Sequence, residues 1–131
     1  MNETNQEKRR RTRIVVEMYV TMSVDAEREY KSLKTVNISL NGVLLRGGPE
    51  LPIGTPCSLK IYLQQSDMSS YGIYFLVEGF VVRSSTDLMG IEFTDMTPES
   101  FVHLGNLVRV NAPNPELIEN EIRLVPEFKR P

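Results

Sequence analysis

Residues 33–45, LKTVNISLNGVLL, decide how the rest of the chain is read. Leu33, Thr35, Asn37 and Ser39 alternate with Lys34, Val36 and Ile38, the period of a strand with two unlike faces. Asn41-Gly42 is a strong hairpin-turn dipeptide, and the apolar run Val43 to Leu45 comes directly after it. A strand, a tight turn and a second strand within thirteen residues predict antiparallel sheet.

Working outward, similar segments recur on both sides. Ile14 to Val24 (IVVEMYVTMSV) is rich in β-branched and aromatic residues and predicts a first strand; Asp25 to Tyr30 reads as a charged turn. Beyond the hairpin, Gly47 to Gly54 form a broad loop, Cys57 to Leu63 alternates, and Ser66 to Ser70 is a polar turn. Tyr71 to Val82 is a long strand with a bend or bulge expected at Gly79, and Met89 to Phe93 closes the β region. From residue 95 the period changes. Thr97, Pro98 and Glu99 have the pattern of an N-cap, a first-position proline and a first-turn acid. Phe101, Leu104 and Val108 then share a helical face. NAPNP at 111–115 breaks that helix, and Ile118, Ile122 and Val125 mark a second one. About six short antiparallel strands followed by helices make an α+β order, mainly β, with the spacing of a small barrel. The expected organisation is one domain over 1–131: a flexible basic arm at 1–13, a β-barrel at 14–96 and C-terminal helices at 97–131.

Composition narrows the function. At 131 residues and net charge −2, the chain as a whole does not attract polyanions. No run approaches the roughly 18 apolar residues of a membrane span, and residues 1–12 lack the apolar region of a secretory signal. A single cysteine, Cys57, gives no disulfide framework, so a reducing cytoplasm is expected. His103 is the sole histidine and has no partner at metal-ligand spacing; Cys57 has no adjacent base; no nucleophile-elbow, zinc-protease or P-loop motif occurs. The expectation is a binding protein and not an enzyme, with no cofactor and no metal.

Positive charge is concentrated instead. Five of the six residues from Lys8 to Arg13 are basic. A nucleic-acid surface would interleave such charge with aromatics, and a membrane patch would add an apolar face or a lipidation site; neither accompanies the arm. The arm does carry R-x-x-x-R at Arg9 and Arg13, and Asn37-x-Ser39-x-x-Gly42 lies about twenty residues on. Two small polar side chains expected on one strand face, with a glycine beyond, suit recognition better than packing.

Together, in this order and in a chain of this texture, the two motifs resemble the signature of the PilZ domain, a bacterial cyclic di-GMP receptor. EKRRRTRI looks like that family's arm entering its first strand, and EGFVVRSSTDLMGIEF like its last hairpin. The resemblance covers nearly the whole chain and implies a six-stranded antiparallel PilZ-type barrel. It also implies cyclic di-GMP as ligand, with Arg9, Arg13, Asn37, Ser39 and Gly42 as its contacts and Lys8 and Arg10 as secondary ones. Arginine grips a guanine edge or a phosphate with paired hydrogen bonds at any physiological pH. Asn37 stands where the family often has Asp, which implies weaker binding. Lys8 precedes the first motif arginine, where the family's arginine goes with a stacked ligand pair; stoichiometry stays open, with two ligands preferred because the charge is kept.

Ordering six flexible residues costs on the order of 6–12 kcal/mol, against about 1.5–3 kcal/mol per hydrogen bond to a charged group. A ligand offering several acceptors is therefore implied, and with it a disorder-to-order clamp whose changed surface is shown to an unidentified effector protein. With no output domain in the chain, the signal is expected to pass to another protein. The alternative is a PilZ-like interaction adaptor that binds no nucleotide.

Overall fold

The computed structural model describes residues 12–25, 27–63 and 74–123. Six strands, β1 (Tyr19–Ser23), β2 (Glu29–Ile38), β3 (Gly42–Arg46), β4 (Pro56–Tyr62), β5 (Tyr74–Ser84) and β6 (Leu88–Asp95), are followed by α1 (Pro98–Asn111) and α2 (Pro115–Arg123). All neighbouring strands are antiparallel, and the order β1-β2-β3-β6-β5-β4 closes because β1 also pairs with β4. The expected six-stranded antiparallel barrel with C-terminal helices is the fold found.

The Asn41-Gly42 turn forms the predicted hairpin, with Ile38 opposite Val43. Inward side chains build the core in cross-strand rows. Ile38, Val43, Ile91 and Val81 sit opposite one another on β2, β3, β6 and β5, each no more than 2% exposed. Burying a side chain of this size contributes about 1.5–3 kcal/mol, so the row binds four strands into one packed layer. α1 is capped as its sequence predicts: the Thr97 side chain accepts from the Ser100 backbone N–H at 3.0 Å. Phe101, Leu104 and Val108 are its buried face, and Ser100 Oγ accepts from the Leu76 backbone N–H at 3.2 Å, fixing α1 to β5. In α2, Ile118 is buried and Ile122 packs against the core; Val125, the last residue of the expected stripe, lies outside the described residues. No helix among the described residues is long and apolar enough to cross a membrane.

Two boundaries differ from expectation by several residues. The first strand does not begin at Ile14. Ile14 makes an isolated bridge to Ile38 (N···O 2.9 and 3.0 Å), and regular pairing starts only at Tyr19. Between them the backbone is held by Thr35, which is buried: its hydroxyl donates to the Val16 carbonyl and accepts from the Met18 backbone N–H at 2.9 Å. The Thr35 backbone N–H also donates to the Met18 carbonyl at 2.9 Å, so one residue holds this stretch with both its side chain and its main chain, while Val15 and Glu17 face solvent. The charged turn is also shorter than predicted. Asp25 Oδ1 accepts from the backbone N–H groups of Glu27 and Arg28, each at 2.9 Å, closing the turn early enough for β2 to start at Glu29.

Candidate functional site

One cross-strand row on the outer face of the barrel carries the site. Asn37 on β2 is opposite Leu44 on β3, Leu44 opposite Gly90 on β6, and Gly90 opposite Arg83 on β5. An amide therefore stands at one end and a guanidinium at the other, with a leucine and a glycine between. These four residues, with Arg13, Val43, Val82 and Ile91, line an open pocket of about 200 Å³. A Cβ at Gly90 would come within 3.1 Å of the Arg83 Cβ, so glycine keeps the floor low where the Arg83 side chain crosses it.

Two β-bulges aim the ends of this row. The β2–β3 register shifts between Thr35 and Asn37, leaving Val36 without an opposite residue. Leu33 and Thr35 point inward, and strict alternation would send Asn37 inward as well. The extra residue reverses the parity, so Asn37 faces out and Ile38 faces the core. On β5 the register shifts between Val81 and Arg83, which leaves both Val82 and Arg83 on the exposed face.

Arg13 completes the cluster from the other side. Its Nη1 donates to Asn37 Oδ1 at 2.7 Å, and its Nη2 lies 3.8 Å from where a Gly42 Cβ would be. The side chain keeps solvent contact, but partial burial lowers its pKa, and the positive charge of Arg83 lowers it further. Two guanidiniums share one pocket, and no carboxylate lines it among the described residues. Such an arrangement attracts an anion, and the Leu44–Gly90 stretch offers a flat apolar rest for a planar group.

The structure brings together three of the residues expected from sequence: Arg13, Asn37 and Gly42. It gives Ser39 a different position. β2 ends at Ile38, so the two-residue alternation no longer applies, and Ser39 does not share the outer face with Asn37. It is fully buried in the turn; its hydroxyl donates to Asn41 Oδ1 at 2.8 Å and its backbone N–H to the Gly42 carbonyl at 2.8 Å. Gly42 has a further reason to be glycine. A Cβ there would stand 2.7 Å from the Ile91 carbonyl oxygen, inside any normal contact, so the residue lets β3 and β6 approach. Lys8, Arg9 and Arg10 lie outside the described residues. Sequence reasoning missed Arg83. Its signal was available only as a basic residue in the last hairpin, and its place depends on the β5 bulge.

Cys57 and His103 remain outside this site. The Cys57 thiol is buried in β4, and burial, with a smaller contribution from Glu78, raises its pKa to about 11. His103 lies partly buried on α1, beside the apolar face and not within it.

Among solved structures, the chain is similar to the Bacillus subtilis inhibitor of motility MotI/DgrA. The TM-score is 0.58 at 18% identity, covering 87% of this chain and 49% of that one. The chain thus spans about half the length of that protein. It is also similar to the PilZ domain of CeSA from a cellulose-synthesizing bacterium, with TM-score 0.57 and 16% identity over 74% of this chain and 94% of that one. At these identities the likeness speaks to the fold. No curated protein matches the chain in sequence. The PilZ domain profile matches residues 7–109, a span that runs from the basic arm through the barrel and most of α1. By that match, and with the barrel that accompanies it, the chain belongs to the PilZ domain family.

Proposed function

We propose that the chain is a cyclic di-GMP receptor that signals by closing its basic arm over the outer face of the barrel. The observation that carries this reading is the pair of guanidiniums, Arg13 and Arg83, facing each other across a floor that ends in Asn37. Membership in a family known for cyclic di-GMP binding supports it. In the reading, Arg13 and Arg83 take phosphate or guanine acceptors, and the Asn37 carbonyl, now held by Arg13, is freed for guanine N–H groups. Gly42 keeps the approach beneath Arg13 open, and Ser39 shapes the turn that presents it. Arg9, with Lys8 and Arg10 beside it, closes from above. The ordered arm then forms a new surface for an effector protein.

Calorimetric titration of the full chain with cyclic di-GMP tests the proposal. Saturable heat with a thermal shift is the expected result. Absence of both at high-micromolar ligand refutes it and leaves the nucleotide-free adaptor as the function.

A further inference from the structure

We propose that Glu121 on α2 is a positioning residue for the ligand site, holding Arg13 over the pocket by clasping Thr12. The inference rests on the proposed ligand reading and adds the C-terminal helix to it.

Glu121 is 5% exposed, whereas Glu119 and Asn120 beside it on α2 are exposed. A carboxylate seldom leaves water unless its oxygens are satisfied. Both oxygens are used on one residue. Oε1 accepts from the Thr12 backbone N–H at 2.8 Å, and Oε2 accepts from the Thr12 hydroxyl at 2.5 Å. Charge-assisted bonds to a backbone N–H fix the chain itself, not only a side chain. Glu121 lies three residues beyond Ile118, so the turn that buries Ile118 delivers the carboxylate to the same side.

Clasping Thr12 matters because Arg13 is its neighbour in the chain. Ile14, on the other side of Arg13, is bridged to Ile38 through both its backbone groups. Arg13 is thus fixed at both neighbours, by the barrel after it and by α2 before it. The remaining freedom is in its side chain, already directed at Asn37. Fixing a group in its bound orientation before the ligand arrives removes an ordering cost from binding.

α2 has anchors that do not involve Glu121. Arg109 Nε on α1 donates to Glu119 at 2.8 Å, and Ile118 is buried. Glu121→Gln is therefore expected to fold with α2 docked. The test measures two things on the full chain: Thr12 amide exchange without ligand, and cyclic di-GMP affinity. Glu121→Gln should speed Thr12 exchange and weaken binding about five- to tenfold, less than the loss of a direct charge-assisted contact because it acts through Arg13. Thr12→Val should weaken it about threefold, and Thr12→Ser should restore wild-type affinity. In an Arg13→Ala background the Glu121→Gln effect should fall below about twofold, because it acts through Arg13. A carboxylate that only docks α2 would give the same fold-loss in both backgrounds, and that result overturns the proposal. Unchanged Thr12 exchange in Glu121→Gln overturns it as well. Slow Thr12 exchange that depends on Glu121, in a wild-type chain that binds no cyclic di-GMP, upholds the clasp and removes the ligand assignment instead.

Discussion

The floor of the pocket and the root of the arm, residues 12–18, meet at Arg13 and Asn37, yet they are held by different means. The floor is the outer side of four hydrogen-bonded strands whose inner side is the packed row Ile38, Val43, Ile91 and Val81. Its shape cannot change without disturbing the core. The root is held by a few discrete contacts: the Ile14 bridge, the Thr35 hydroxyl and the Glu121 carboxylate. In the proposed function, rigid presentation belongs to the first region and adjustable affinity to the second.

The contrast breaks most sharply at Gly42, a signature residue that belongs to the floor. Gly42→Ala places a Cβ against the Ile91 carbonyl, and unfolding free energy should fall by about 1–3 kcal/mol in denaturant titration. If the variant keeps wild-type stability and loses only ligand affinity, Gly42 belongs with the arm. Arg13→Ala should do the opposite. Cyclic di-GMP affinity should fall at least about tenfold, while stability stays within about 0.5 kcal/mol; a large drop in melting temperature would make Arg13 a structural member of the barrel. Arg83→Ala should cost about three- to tenfold in affinity and flatten the salt dependence of binding, because one of two pocket cations is lost. An unchanged salt slope would place Arg83 outside the ligand's reach.

A fourth test concerns the barrel alone. With its pKa raised to about 11, the Cys57 thiol stays protonated and closed to thiol reagents at pH 8 until the chain unfolds. In the unfolded chain the thiol ionises near pH 8.5. Between that pH and about 11 the folded state holds the extra proton, so stability falls as pH rises through this window. Cys57→Ala should remove that part of the slope, and rapid labelling of native protein at pH 8 would show that the barrel opens.

Local chemistry made much of this readable in advance. Asn41-Gly42 specified the hairpin, Thr97-Pro98 the start of α1, and Phe101, Leu104 and Val108 its buried face. Arg13, Asn37 and Gly42 converge as the paired motifs led one to expect. The β5–β6 register shift at Glu78/Gly79 falls where Gly79 marked it, but the bulges at Val36 and Val82 were not readable, because an unpaired residue is defined by the strand opposite it and not by its own type. Alternation alone puts Asn37 and Ser39 on one face; the end of β2 at Ile38 separates them, and the Val36 bulge decides that it is Asn37 that faces out. Arg83 escaped for the same reason. Glu121 escaped because it meets Thr12 across 109 positions of sequence, and one of three glutamates on an amphipathic helix carries no mark of burial.

The closure of the barrel also has a kinetic consequence. The pocket combines residues 13, 37, 44, 83 and 90, joined through the β2–β3, β3–β6 and β5–β6 pairings. β3 reaches β6 only after the chain between them has looped out through β4 and β5. Topologies dominated by such distant pairings fold on the order of milliseconds to seconds, not microseconds. The pocket therefore arrives late in folding and all at once: a nascent chain that ends before β6 has the Asn-Gly turn and both motifs, but no pocket.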